Sequence, residues 1–296
     1  MKVQALILTL LMTTLALGPV ACTKSLTAPG KIAGAPITYF ASVNYIYGDF
    51  NRPSGIDYSQ GALWAINYYG YNLLKLDPST STALKDFSSF SGGSFYYPWG
   101  VNVGPNGYVY VSDYQNGSVE VFRQNGDYVT SVSSNYPRGA VANSSTMFVA
   151  EYYTTGIQAY PMSGSTTPVF GNPTVIGSGL FIHPTHIKMD RFGNLWVVDR
   201  SNVSVVELSP SGDVIRTLSH GISFFPTDIA FDEGNNMYVT DDGNNVIQVF
   251  NANGTYRTQI SYGGLNGPKG ITTDGHGTFF VADYNNSRII VYSDPQ

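Results

Sequence analysis

The sequence predicts an all-β fold: a six-bladed β-propeller of four-stranded antiparallel blades, its ring closed by an N-terminal strand. Three observations predict it. A unit of 39–47 residues recurs six times after residue 50. Each copy reads as short alternating strands separated by Gly and Asn turns. The sixth copy is one strand short, and a spare strand-like segment precedes the first. Four-stranded sheets repeated at this period are propeller blades. Parallel β-helix repeats are much shorter, and helical repeats lack alternation of period two.

Composition agrees. Of 296 residues only 12% are charged, against about 25% in an average protein. Low charge with 32 Gly, 16 Pro and 22 Tyr reads as many short strands joined by tight turns rather than disorder. A net charge of −5 and a pI near 5.2 argue against a nucleic-acid partner, because phosphate binding rests on clustered Lys and Arg. Cys22 is the single cysteine, so an intrachain disulfide and a Cys₂His₂ or Cys₄ zinc site are excluded.

The chain opens with Lys2 and a charge-free run over residues 5–17, ALILTLLMTTLAL. A basic start, a short apolar core and then small residues describe a secretory signal peptide over residues 1–21. The run is shorter than the ~20 residues that span a bilayer. Ala21-Cys22 follows the core and resembles the lipobox of bacterial lipoproteins, in which the cysteine is lipidated and becomes the mature N-terminus. Pro19 stands where Leu is typical. An ordinary cleaved signal with an incidental cysteine is the alternative. Residues 22–36, rich in Pro, Gly and Ala, read as a flexible tether. The expected location is the cell envelope, on the periplasmic or extracellular face, with the membrane reached through the N-terminal lipid only.

Residues 37–296 are the expected propeller, with blades starting near Pro53, Pro98, Pro137, Pro184, Pro226 and Pro268. A first strand follows each proline. The second opens on an aromatic residue (Trp64, Tyr110, Phe148, Trp196, Tyr238, Phe280) and closes on Asn67, Asp113, Glu151, Asp199, Asp241 or Asp283. Turns such as DRFGN (190–194) and QNGD (124–127) supply Gly and Asn, which tolerate positive φ. The aromatic column is expected to be core between blades. The acid column is expected to be scaffold that accepts backbone N–H groups of a neighbouring turn. Residues 37–47, ITYFASVNYIY, supply the strand missing from the last blade and so remove the ring's open edges.

The units resemble NHL repeats, which run Pro, a Gly-Ile/Val strand, Tyr-Val-x-Asp, an Asn-containing loop and Ile-x-Val-Phe. DDGNNVIQVF (241–250) and DYNNSRIIVY (283–292) are close matches, and the first and third copies are weaker. The resemblance covers residues 53–292 and implies a propeller. It leaves function open, since NHL propellers include peptide-binding scaffolds, RNA binders and a zinc-dependent lyase.

Function is expected where the loop into the first strand and the loop out of the second share a face. Two past each proline stand Gly55, Gly100, Gly139, His186, Asp228 and Gly270; one past, on the same face, stand Trp99, Arg138 and Lys269. After the acid come Tyr68, Tyr114, Tyr152, Arg200, Asp242 and Tyr284. The glycines suggest a close-packed channel mouth, and the tyrosines either shield loop backbone or form a recognition surface. One reading is a monomeric, cofactor-free scaffold that holds a peptide, protein or glycan on this Tyr-rich face. The alternative is a metal-dependent lyase or hydrolase around His186 and Asp228, with His183 as a further candidate ligand and His220 more distant. Lyase-type members of the family carry metal-binding histidines in separate blades, whereas His183 and His186 share one. Gluconolactonase-like propellers use Glu, Asn and Asp around the channel, where this mouth column offers one carboxylate, Asp228.

Overall fold

The computed structural model describes residues 26–27, 42–164, 167–219 and 224–293. The expected signal peptide, Cys22 and His220 lie outside them. Of residues 22–36 only Leu26–Thr27 is described, as a short strand paired with Ser42 and Val43.

Six antiparallel sheets follow one another along the chain. Blade 1 is Pro53–Ser59, Ala62–Asn67, Asn72–Asp77 and Thr82–Phe87. Blade 2 is Pro98–Val103, Tyr108–Asp113, Ser118–Arg123 and Tyr128–Ser133. Blade 4 is Pro184–Met189, Leu195–Asp199, Ser204–Leu208 and Val214–Leu218. Blade 5 is Pro226–Phe231, Met237–Asp241, Val246–Phe250 and Tyr256–Ile260. Blade 3 departs from the pattern. After Pro137–Ala142, Thr146–Glu151 and Ile157–Ser163, its outer position is divided between Val169–Phe170 and Thr174–Ile176. Both pieces pair with the third strand.

Blade 6 contributes Pro268–Thr273, Thr278–Asp283 and Arg288–Ser293. Its fourth strand is Ser42–Ile46, in register from Ser42↔Ser293 to Ile46↔Ile289. The ring therefore closes through the N-terminal strand, as the repeat count requires.

The core lies between blades rather than within them. Trp64 packs with Phe87, Val101 and Phe122 across blades 1 and 2. Trp196 packs with Phe224, Ile229 and Phe250 across blades 4 and 5. At the closing seam Ile46 and Phe280 meet Ile56 and Leu63. A large ring at the second or third residue of each second strand reaches the neighbouring blade, which is why that column is aromatic in every copy.

The acid column ties two loops together. Asp199 is fully buried and accepts the backbone N–H groups of Ile182 (2.7 Å), His183, Ser201 and Asn202 (each 3.2 Å). Asp113, Asp241 and Asp283 likewise accept from Tyr96, Phe225 and Asn266. Each carboxylate holds the loop entering its own blade's first strand.

Candidate functional site

The local geometry of the first strands builds the site. In each blade the register slips just past the proline, as between Pro98↔Asp113 and Gly100↔Ser112, or between Pro184↔Asp199 and His186↔Val198. Such a bulge turns one extra side chain out of the ladder. The residue after the proline therefore joins the residue two past it at the mouth of the central channel. First strands also approach closely there. A side chain at Gly55 would sit 2.7 Å from the Gly100 Cα and the Trp99 carbonyl oxygen, so this position must stay bare.

Blades 4 and 5 break the glycine column, and the space is used. A cavity of about 270 Å³ opens at the mouth, its wall including Trp99, Arg138, Tyr152, His186, Asp228 and Lys269. At its floor the His186 Nε2 lies 3.3 Å from the Asp228 Oδ1, and both residues are buried. Their spacing suggests an ion pair, but their surroundings oppose one. Burial, helped by the nearby Lys188 cation, pushes the His186 pKa down to about 3. Burial also pushes Asp228 up to about 7, against the pull of Lys188 and of two N–H donors. Those donors are Ile229 (2.7 Å) and Ile271 (2.9 Å). A neutral imidazole therefore faces a carboxyl that titrates near neutrality. The His186 Nε2 makes no hydrogen bond within the protein.

The two groups act oppositely on stability. Asp228 binds its proton more tightly when folded, so its contribution falls as pH rises from about 4 to about 7. His186 resists protonation when folded, so its contribution rises with pH from about 3 to 6.5. In the wild type these slopes oppose each other. Asp228→Asn removes the falling limb. The melting temperature of the variant relative to wild type is expected to climb between pH 4 and 7, and a flat difference across that range would contradict the assignment.

Around the pocket the rim divides into an aromatic and a charged half. The Arg138 guanidinium lies 4.0 Å from the Trp99 ring, 4.2 Å from Tyr152 and 4.6 Å from Tyr114. Tyr68 meets Trp99 edge-on at 5.3 Å and also touches Tyr284. Tyr69, Tyr96 and Tyr97 extend this crescent beyond blade 1. Tyr136 and Tyr153 extend it beyond blade 3. On the charged side Asp242 is held between Arg200 (2.9 Å) and Lys269. Burial lowers the Lys269 pKa, against the Asp242 carboxylate that holds it up.

Of the expected site residues, Trp99, Arg138, Tyr152, His186, Arg200, Asp228, Asp242 and Lys269 line one cavity. Tyr68, Tyr114 and Tyr284 do not; they pack behind Trp99, Arg138 and Lys269. The expected grouping of His183 with His186 and Asp228 needs correcting. The His183 Nδ1 is 2.9 Å from the Ser201 hydroxyl, and its ring stacks on Tyr152 at 4.5 Å. Among the described residues no three His, Cys, Asp or Glu side chains come together at a spacing that would hold a metal ion.

Sequence reasoning missed the next layer of the channel. Lys188 follows His186 by two and so points the same way. Its Nζ is 3.0 Å from the Asp57 Oδ1, which also accepts from Thr272 at 3.0 Å. Burial disfavours the Lys188 cation, but Asp57 and Asp228 outweigh it and raise its pKa. Alternation carried two residues further along each first strand would have found this column.

Comparison with known proteins places the fold in context. The NHL repeat matches residues 95–122 and 265–292. No curated protein sequence matches the chain. Among solved structures, a streptogramin B lyase is 14% identical with a TM-score of 0.61, covering 86% of this chain and 97% of that one. A virginiamycin B lyase from Staphylococcus aureus is 15% identical at TM-score 0.61, covering 85% and 98%. Hydrazine synthase of Kuenenia stuttgartiensis is 13% identical at TM-score 0.62, covering 89% and 99%. At such identities the likeness concerns the fold alone.

Proposed function

We propose that this chain is a binding module of the cell envelope that holds a peptide, protein or glycan on its Tyr-rich face. The observation that carries the reading is the crescent of aromatic side chains bordering a preformed pocket. Tyr69, Tyr96, Tyr136 and Tyr153 are 37–58% exposed, on loops held by the buried strand-end residues Asn67, Asp113 and Glu151. Aromatic rings with polar tips offer large contact area at small entropic cost. On the rim, Asp242 is already joined to Arg200 and Lys269. Export and attachment through Cys22 complete the proposal; a Cys22→Ser chain that still incorporated labelled fatty acid would contradict the anchor.

A second reading is favoured by one observation. The buried His186 and Asp228 share the floor of the same pocket. One solved structure of similar fold is a catalytically inactive histidine-to-alanine variant of virginiamycin B lyase with quinupristin. His186 beside a carboxyl would serve as the acid–base pair of a metal-dependent lyase or hydrolase. Mass spectrometry separates the readings. Neutral oligosaccharides, short peptides and quinupristin are incubated with the protein and recovered. All are expected back unchanged; conversion that disappears in His186→Ala, together with stoichiometric metal in the wild type, would establish the enzyme instead.

A further inference from the structure

We infer that the mouth pocket reads a carboxylate, and that its ligand is an acidic sugar at the end or within a glycan chain, bound through Arg138. The inference rests on the binding-module reading and narrows it.

Charge is the first ground. The chain carries a net −5, yet three cations, Arg138, Arg200 and Lys269, line one cavity. Asp242 satisfies both Arg200 and Lys269. Asp228 faces inward to the backbone N–H groups of Ile229 and Ile271. No carboxylate is left for Arg138. Among the described residues it has no ion-pair partner, and its Nε is buried without a hydrogen bond. Its guanidinium is instead fixed among Trp99, Tyr114 and Tyr152. A guanidinium immobilised in this way keeps the N–H groups of its two terminal nitrogens for a bidentate acceptor, at little entropic cost on binding.

Size and hydrogen bonding select the sugar. A cavity of about 270 Å³ is near the lower end of small-molecule sites, roughly 300–1,000 Å³, and suits one ring rather than an extended segment. His186 also lines the floor, and its buried Nε2 makes no hydrogen bond, with the Asp228 Oδ1 3.3 Å away. A ring hydroxyl can satisfy that nitrogen while the carboxylate of the same ring meets Arg138. A peptide C-terminus brings the carboxylate with one amide N–H beside it, whereas a uronate ring carries several hydroxyls around its carboxylate. The exposed tyrosines then flank the sugars on either side.

The test is a calorimetric titration of the full chain at pH 7 with trigalacturonate, its methyl ester, and one short peptide as free acid and as amide. Trigalacturonate is expected to bind at least about tenfold tighter than its ester, the scale of a charge-assisted hydrogen bond. Arg138→Gln should abolish that preference. Arg138→Lys should restore only part of it, because an ammonium lacks the planar fork. Asp242→Asn, which frees two cations, should tighten the acid several-fold more than the ester, so the inference stays testable even if Arg138→Gln misfolds. Equal binding of acid and ester would overturn the carboxylate while leaving the binding module standing. Preference for the peptide acid without uronate binding would overturn the sugar. Silence from all four probes in a folded protein would count against both.

Discussion

Removing residues 37–47 is expected to lower the melting temperature by more than about 10 °C and to make the protein aggregate. Val43, Tyr45 and Ile46 are all buried in the closing strand. Burying side chains of this size stabilises by about 1.5–3 kcal/mol each, so their loss costs roughly 4.5–9 kcal/mol. That is comparable with the whole stability of many domains, roughly 5–15 kcal/mol. The ladder from Ser42↔Ser293 to Ile46↔Ile289 goes with them, and the third strand of blade 6 becomes an open edge. Ile46 also serves the seam between blades 6 and 1, so the damage reaches the first blade. A scan showing the same transition with and without the segment would contradict closure.

Asp199→Ala is expected to be the most damaging single substitution in the acid column, at roughly 3–5 kcal/mol, given about 1–3 kcal/mol for each buried donor left unpaired. Four backbone N–H groups and the Asn202 side-chain amide converge on Asp199. Among the described residues Glu151 accepts from the Ser134 hydroxyl and the Asn135 N–H (both 2.7 Å), so Glu151→Ala should cost about half as much, by the same scale. Chemical denaturation of both variants measures the difference. Equal losses would mean the carboxylates do not act through these donors. Because Asp199 also fixes His183, which stacks on Tyr152, its loss should disturb the mouth as well.

Much of this was legible in the sequence because propeller geometry repeats. Six prolines, six aromatic residues and six strand-end polar residues give the register of every blade. The missing strand of the last copy points to residues 37–47, within which the closing strand is Ser42–Ile46. The columns beside the proline and the acid give the mouth, because one bulge is repeated in every first strand. What stayed hidden depends on side-chain direction. Nothing in the pattern says that Arg138 turns under Trp99 while Arg200 turns to Asp242. Nor does it show His183 leaving His186 for Ser201 and Tyr152. The divided outer strand of blade 3 escaped because outer strands are only half buried and carry a weak alternation. Lys188 and Asp57 were within reach, since period two runs straight from His186 to Lys188.

The mouth as a recognition surface is tested most directly by equilibrium binding of soluble glycan and peptide probes, read by tryptophan fluorescence. Trp64 and Trp196 are fully buried, so Trp99 is the reporter at the site. A saturable change is expected in the wild type, weakened about tenfold or more in Tyr152→Ala, the scale of an interface hot spot. Phe192→Ala, an exposed side chain in the turn after the first strand of blade 4, should leave it intact. Binding that survived Tyr152→Ala but was lost in Phe192→Ala would place recognition elsewhere and contradict the account.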